Sequence, residues 1–128
     1  MKRLTLTRAF ATYGARLKNV RWASSAIAND GSLVVSCWQH FFTHGCQRYE
    51  DRLSRWPTGH PGRGLLAEHL RLAVKDKLAV RLVVATLDAP TQWVSGAASP
   101  LRKTFSTQQH LTGKVVTFDG DFFAVEFQ

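Results

Sequence analysis

A chain of 128 residues, 45% apolar and with eight Phe, is long enough for one domain around a single core and too apolar for a disordered segment. No run nears the roughly 20 apolar residues of a membrane span, and Thr5, Thr7 and Arg8 interrupt any signal-like segment after Met1-Lys2-Arg3, so a cytoplasmic protein without membrane contact is expected. The net charge of +8 is lopsided: Lys2, Arg3, Arg8, Arg16, Lys18 and Arg21 all precede the first acid, Asp30, and such a surface attracts polyanions, nucleic acid foremost.

Residues 5–17 read as an amphipathic helix. Leu6, Phe10, Tyr13 and Leu17 recur at spacings of four, three and four, while Arg8 and Arg16 point away. Thr5 or Thr7 offers an N-cap. Gly14 weakens a helix interior by about 1 kcal/mol relative to Ala, so it marks either a close approach to the small face of the following hairpin or an early helix end. Arg21 to Trp38 then reads as a hairpin turned at Asn29-Asp30-Gly31, residues that tolerate positive φ. Alternation puts Trp22, Ser24 and Ala26 on one face and Ala23, Ser25 and Ile27 on the other. On its second strand Val34, Ser36 and Trp38 oppose Leu33, Val35 and Cys37. The small side chains leave room for a helix, which makes this hairpin the expected centre of the fold.

Gln47 to Gly64 reads as a long surface loop with one helical turn over 49–55. It sets Arg48, Arg52, Arg55 and Arg63 against Glu50 and Asp51, and Trp56, Pro57, Gly59, Pro61, Gly62 and Gly64 interrupt any regular pattern. Arginines mixed with Tyr49 and Trp56 suit phosphate contact with base stacking. Leu65 to Lys77 reads as the second helix, with Leu66, Leu70, Ala73 and Val74 inward and Glu68, Arg71 and Lys75 outward. His69 falls on its apolar flank, where a satisfied core histidine is the ordinary case. Leu78 to Leu87 is nearly continuous and rich in β-branched residues, a central strand. Asp88-Ala89-Pro90 ends it, and 91–100 is a loop carrying Trp93. Leu101 to Phe105 is a short strand, and Gly113–Phe118 with Phe122–Phe127 form a second hairpin around Asp119-Gly120-Asp121. The expectation is a single α+β domain over 1–128, with an antiparallel sheet of five or six strands built from two hairpins and packed with two helices.

Candidate chemistry is sparse. Cys37, His40, His44 and Cys46 offer two thiols and two imidazoles, as tetrahedral zinc requires. Their spacing is compressed, and a strand would turn Cys37 and His40 to opposite faces, so no metal is expected; the cysteines read as thiols. Asp88, Asp119, Asp121 and Glu126 would serve a metal-dependent nuclease only if the sheet gathered them, and Asp119 and Asp121 read more simply as turn residues. Ser24 and Ser25 have no His nearby in sequence. With no nucleophile elbow, phosphate loop or dinucleotide fingerprint, neither a catalytic residue nor a cofactor is expected.

Asn19-Val20-Arg21-Trp22-Ala23-Ser24-Ser25-Ala26, followed by Asp30-Gly31 and Trp38, resembles a motif of small uncharacterised bacterial proteins carried on plasmids and other mobile elements. Gly113-Lys114-Val115-Val116-Thr117-Phe118-Asp119-Gly120 resembles their C-terminal hairpin. The resemblance implies a compact α+β dimer that binds DNA, with no established reaction, and it transfers no residue role.

Charge and resemblance together point to a protein that contacts duplex DNA phosphates with little sequence specificity. The expected contacts are Arg8, Arg16, Lys18, Arg21, Arg48, Arg52, Arg55, Arg63, Arg102, Lys103 and Lys114. A protein-interaction module of a mobile element and a small metal-dependent nuclease are the alternatives. Phe122-Phe123-Ala124-Val125 carries neither charge nor Pro and reads as an unprotected sheet edge, from which a homodimer is expected.

Overall fold

The apolar run that ends at Leu87 becomes the axis of the structure. The computed structural model describes residues 4–43, 47–87 and 103–128, with backbone alone for His40, Thr43, Leu87 and Lys103. Along the chain come α1 (Leu6–Thr12), β1 (Ser25–Ile27), β2 (Leu33–Trp38), β3 (Phe42–Thr43), β4 (Arg48–Arg52), α2 (Pro61–Asp76), β5 (Val80–Leu87), β6 (Lys103–Thr107), β7 (Gly113–Phe118) and β8 (Phe122–Phe127). Single 3-10 turns, Gln39–Phe41 and Leu53–Arg55, precede β3 and follow β4.

The eight strands form one sheet in the order β1-β2-β5-β7-β8-β4-β3, with β6 also paired to β5. The sheet forks at β5, whose Val80 pairs with Gly113 of β7 while Val83 to Leu87 pair with β6. Only β2 and β5 run parallel, from Leu33↔Val80 to Trp38↔Ala85. A parallel pair needs a long crossover, and here β3, β4 and α2 supply it. The α+β class and the mostly antiparallel sheet with two helices are thus present. The sheet is wider than the two hairpins alone would make it, although β1 and β3 are only three and two residues long.

The stretch expected as a surface loop contains β4. It pairs with β8 from Arg48↔Glu126 to Arg52↔Phe122 and with β3 on its other side. Alternation is present there, with Tyr49 and Asp51 buried between outward-turned Arg48, Glu50 and Arg52. A charged residue on the buried face hid the pattern. The consequence reaches β8, which lies between β7 and β4 and is no edge. Phe123, Val125 and Phe127 fill the chain's own core, so the open-edge argument for a homodimer does not hold.

α1 stops at Thr12, five residues before the expected end at Leu17. Gly14 turns the chain at φ +74°, and its carbonyl accepts the Asn29 amide at 2.9 Å. It is both an early stop and a close approach to the first hairpin's turn. Thr5 is the N-cap, its hydroxyl accepting the Arg8 amide at 3.2 Å. Tyr13 ties the end of α1 down: its hydroxyl donates to the Leu82 carbonyl at 2.7 Å and accepts the Gln108 amide at 3.0 Å.

α2 begins four residues before Leu65. Pro61 occupies the first turn, where its missing N–H costs nothing, and His60 caps the helix by accepting the Gly62 amide on Nδ1 at 3.0 Å. The Pro and Gly residues that suggested a loop are therefore a helix start. Lys77, left-handed at φ 53°, ends the helix.

Each sheet face has its own core. Beneath α2, Leu66 and Leu70 pack on Leu33, Val35, Cys37, Val80, Leu82, Val84, Phe123 and Phe127. Beneath α1, Ala9 and Phe10 pack on Ala26, Val34 and Val83. The small side chains of β1 admit both helices. His69 is satisfied, hydrogen-bonded through Nδ1 to the buried Ser25 hydroxyl at 2.8 Å, and burial holds its pKa below the usual histidine value.

Candidate nucleic-acid interface

The candidate cations fall into three groups. Arg8, Arg16, Lys18 and Arg21 lie along one stretch of α1 and the turn that follows it. All four are exposed, and none makes an ion pair among the described residues. The turn is held from within: Asn19 Oδ1 accepts the Arg21 amide at 2.9 Å and the Asn19 carbonyl accepts the Ala23 amide at 2.8 Å. Arg21 is thereby held out at the rim of a fixed turn.

The second group is committed elsewhere. Arg48 lies opposite Glu126 across β4 and β8; its guanidinium reaches Glu126 at 2.7 Å and Glu50 at 2.5 Å. Those acids hold its pKa above the usual arginine value, the Glu50 hydrogen bond contributing most. Arg52 approaches Asp121 at 3.5 Å and lies over the Phe122 ring. Arg55 makes the most buried pair: Nε and Nη2 bind both Asp51 oxygens at 2.8–3.1 Å, with side chains only 14% and 5% exposed. Asp51 also accepts from the Tyr49 hydroxyl at 2.9 Å and the Arg52 amide at 2.8 Å. Tyr49 is 2% exposed. It is a core residue rather than the stacking platform expected for it.

The remaining cations are dispersed. Arg63 donates to the Trp56 carbonyl at 3.2 Å and to the Thr58 hydroxyl at 3.5 Å, and Lys114 stands exposed on β7 opposite Glu126. Arg102 and the Lys103 side chain lie outside the described residues, as do Trp93, Asp88, His44, Cys46 and the His40 side chain. Cys37 is a buried thiol in the α2-side core. Among the described residues no three His, Cys, Asp or Glu side chains converge as metal ligands. Asp119 closes the β7–β8 turn by accepting the Asp121 and Phe122 amides at 2.9 and 2.8 Å, and Asp121 accepts the Ser54 amide at 2.7 Å.

A cleft of about 270 Å³ opens beside the first group. It follows from the shortness of α1. The helix covers Val34 and Val83, and the same sheet face continues along β2 and β5 as Ser36, Trp38 and Ala85, which floor the cleft. Trp22 and Trp56 wall it, with Arg21, Arg55 and the capping His60 at its border. All three tryptophans are half-buried. Arg55 lies 4.0 Å over the Trp56 ring, whereas the Trp22 ring has no ring or cation contact among the described residues. Ser24 Oγ, behind the same wall, is enclosed and has no hydrogen-bond partner among the described residues. Sequence assigned Trp22 and Trp38 each to a face of its own strand, but nothing in it brings the two together or adds Trp56 and His60 to them.

No family model, curated protein or solved structure matches this chain. Among the described residues no helix is long and apolar enough to cross a membrane.

Proposed function

We propose that this protein binds nucleic acid through the phosphate backbone, with Arg8, Arg16, Lys18 and Arg21 as its principal contacts. The supporting observation is that these four exposed cations have no ion-pair partner among the described residues, in a stretch of chain that contains no acid before Asp30. Cations in that state keep their full attraction for phosphate and release counterions when they bind. Phosphate contacts position a protein without reading bases, so binding on duplex DNA is non-specific.

The test is a salt titration of binding to duplexes of unrelated sequence. If all four side chains reach phosphates, log K falls against log salt with a slope of about −3.5, and Kd is on the order of micromolar near physiological salt. A slope near zero, or a strong preference for one sequence, overturns the proposal.

A further inference from the structure

We infer that the tryptophan cleft takes one unstacked base of a single strand whose phosphates lie along the adjacent basic turn. This rests on the phosphate-binding proposal and adds what that proposal lacks, a site for a base. The cleft's volume, about 270 Å³, lies just under the ~300–1,000 Å³ of pockets that hold drug-sized ligands. It suits one flat ring system better than a larger ligand.

Its chemistry is that of a stacking site. Trp22, Trp38 and Trp56 present indole rings, and every base has a π-face that such rings accept whatever the sequence. Trp56 already carries the Arg55 guanidinium at 4.0 Å, and Asp51 holds that guanidinium through both carboxylate oxygens. Among the described residues Trp22 is the platform without a ring or cation contact.

Charge complementarity fixes what the base is attached to. Arg21 belongs both to the cleft and to the exposed basic stretch, so a base in the cleft leaves its own backbone beside Arg21 and the next phosphates towards Lys18 and Arg16. Bases in a duplex are already stacked and paired, and removing one from the stack costs a few kcal/mol. A single strand is the occupant this arrangement favours.

The measurement is tryptophan emission and fluorescence anisotropy of the intact chain with three ligands of equal length. These are a single-stranded oligonucleotide, its duplex, and a strand of the same phosphate number with abasic sites throughout. The single strand should quench emission and bind at least tenfold more tightly than the abasic strand, whereas the duplex, bound through its phosphates alone, should leave emission unquenched. Trp22→Ala should weaken single-strand binding by about 5- to 150-fold, the range one stacked base provides, while the abasic strand's affinity and salt slope stay unchanged.

Equal binding of intact and abasic strands, both salt-dependent and without quenching, overturns the base site while leaving phosphate binding intact. Absence of salt-dependent binding to any strand overturns both. A mononucleotide that binds as tightly as the strand overturns the strand as occupant. Should Trp22→Ala fail to fold, the intact-versus-abasic comparison on the unaltered protein still decides, and Ser36→Leu, which fills the cleft floor, should reproduce the loss.

Discussion

Two regions of this molecule hold arginines at similar density and use them in opposite ways. Arg8, Arg16, Lys18 and Arg21 stand exposed and without an ion pair among the described residues, whereas Arg48, Arg52 and Arg55 are joined to Glu50, Glu126, Asp121 and Asp51. Two of the four acids, Glu50 and Asp51, are neighbours in sequence, and the other two, Glu126 and Asp121, come from the other end of the chain, brought there by the β4–β8 pairing. Charge counted along the sequence therefore overstates the cationic surface of β4, where the arginines join strands. Around α1 it is fully displayed.

The comparison breaks most visibly in stability. Asp51→Ala removes the partner of a guanidinium that is only 14% exposed and the acceptor of the buried Tyr49 hydroxyl. Loss of one member of a buried pair costs about 3–5 kcal/mol, measurable by denaturant unfolding. Replacing Asp51 and Arg55 together by Leu and Met should cost less than Asp51→Ala alone, because no buried charge is left behind. Changing Arg8, Arg16, Lys18 and Arg21 singly to Gln should stay within about 0.5 kcal/mol, as exposed substitutions do. A large loss from any of these four would show that the α1 region also uses its charges structurally.

Binding should invert that order. Each Gln substitution at Arg8, Arg16, Lys18 or Arg21 should reduce the steepness of the duplex salt dependence by about 0.9, with affinity falling alike for all sequences. Arg48→Gln and Arg52→Gln, read by the same titration, should leave the slope unchanged. Equal slope changes from both regions would mean that phosphate displaces Glu126 and Asp121, and the division between the regions would disappear.

How much of this was legible depended on where partners lie in the chain. The two hairpins, the central strand and most of both helices could be read because alternation, turn residues and helical spacing are local. Of the two readings of Gly14 the early helix end is realised, whereas its close approach is to Asn29 in the hairpin's turn and not to the hairpin's small face. β4 was missed because Asp51 occupies a core-facing position, which is tolerable only with Arg55 and Tyr49 around it. The start of α2 was missed because Pro61 and Gly62 look like loop residues. Yet Gly62 is needed there: a Cβ would meet the Trp22 carbonyl at 2.3 Å. That contact also shows why the cleft was not legible. It joins residues from the first hairpin, the turn after β4 and the cap of α2, which only the finished sheet assembles.

The finest contrast concerns acid. Asp121 is held below the usual carboxylate pKa, first by the Ser54 amide at 2.7 Å, then by the Ser54 hydroxyl at 3.2 Å and Arg52 at 3.5 Å. A carboxyl whose folded pKa is depressed contributes stability above its unfolded value, near 3.9, and loses it as pH falls through the folded value. As pH falls below about 4, the unfolded chain takes up a proton that the folded chain does not yet hold. Unfolding midpoints should therefore drop with pH there, and the drop should be shallower in Asp121→Asn. Replacing the four cations around α1 should leave this limb unchanged, since that segment has no acid to titrate. Arg52→Ala discriminates further. The Ser54 amide is the leading cause and Arg52 a lesser one, so losing the arginine should flatten the limb less than Asp121→Asn does. Equal flattening would assign the shift to the exposed ion pair, which added salt would then screen. A smaller effect, insensitive to salt, would assign it to the backbone amide that anchors the turn after β4.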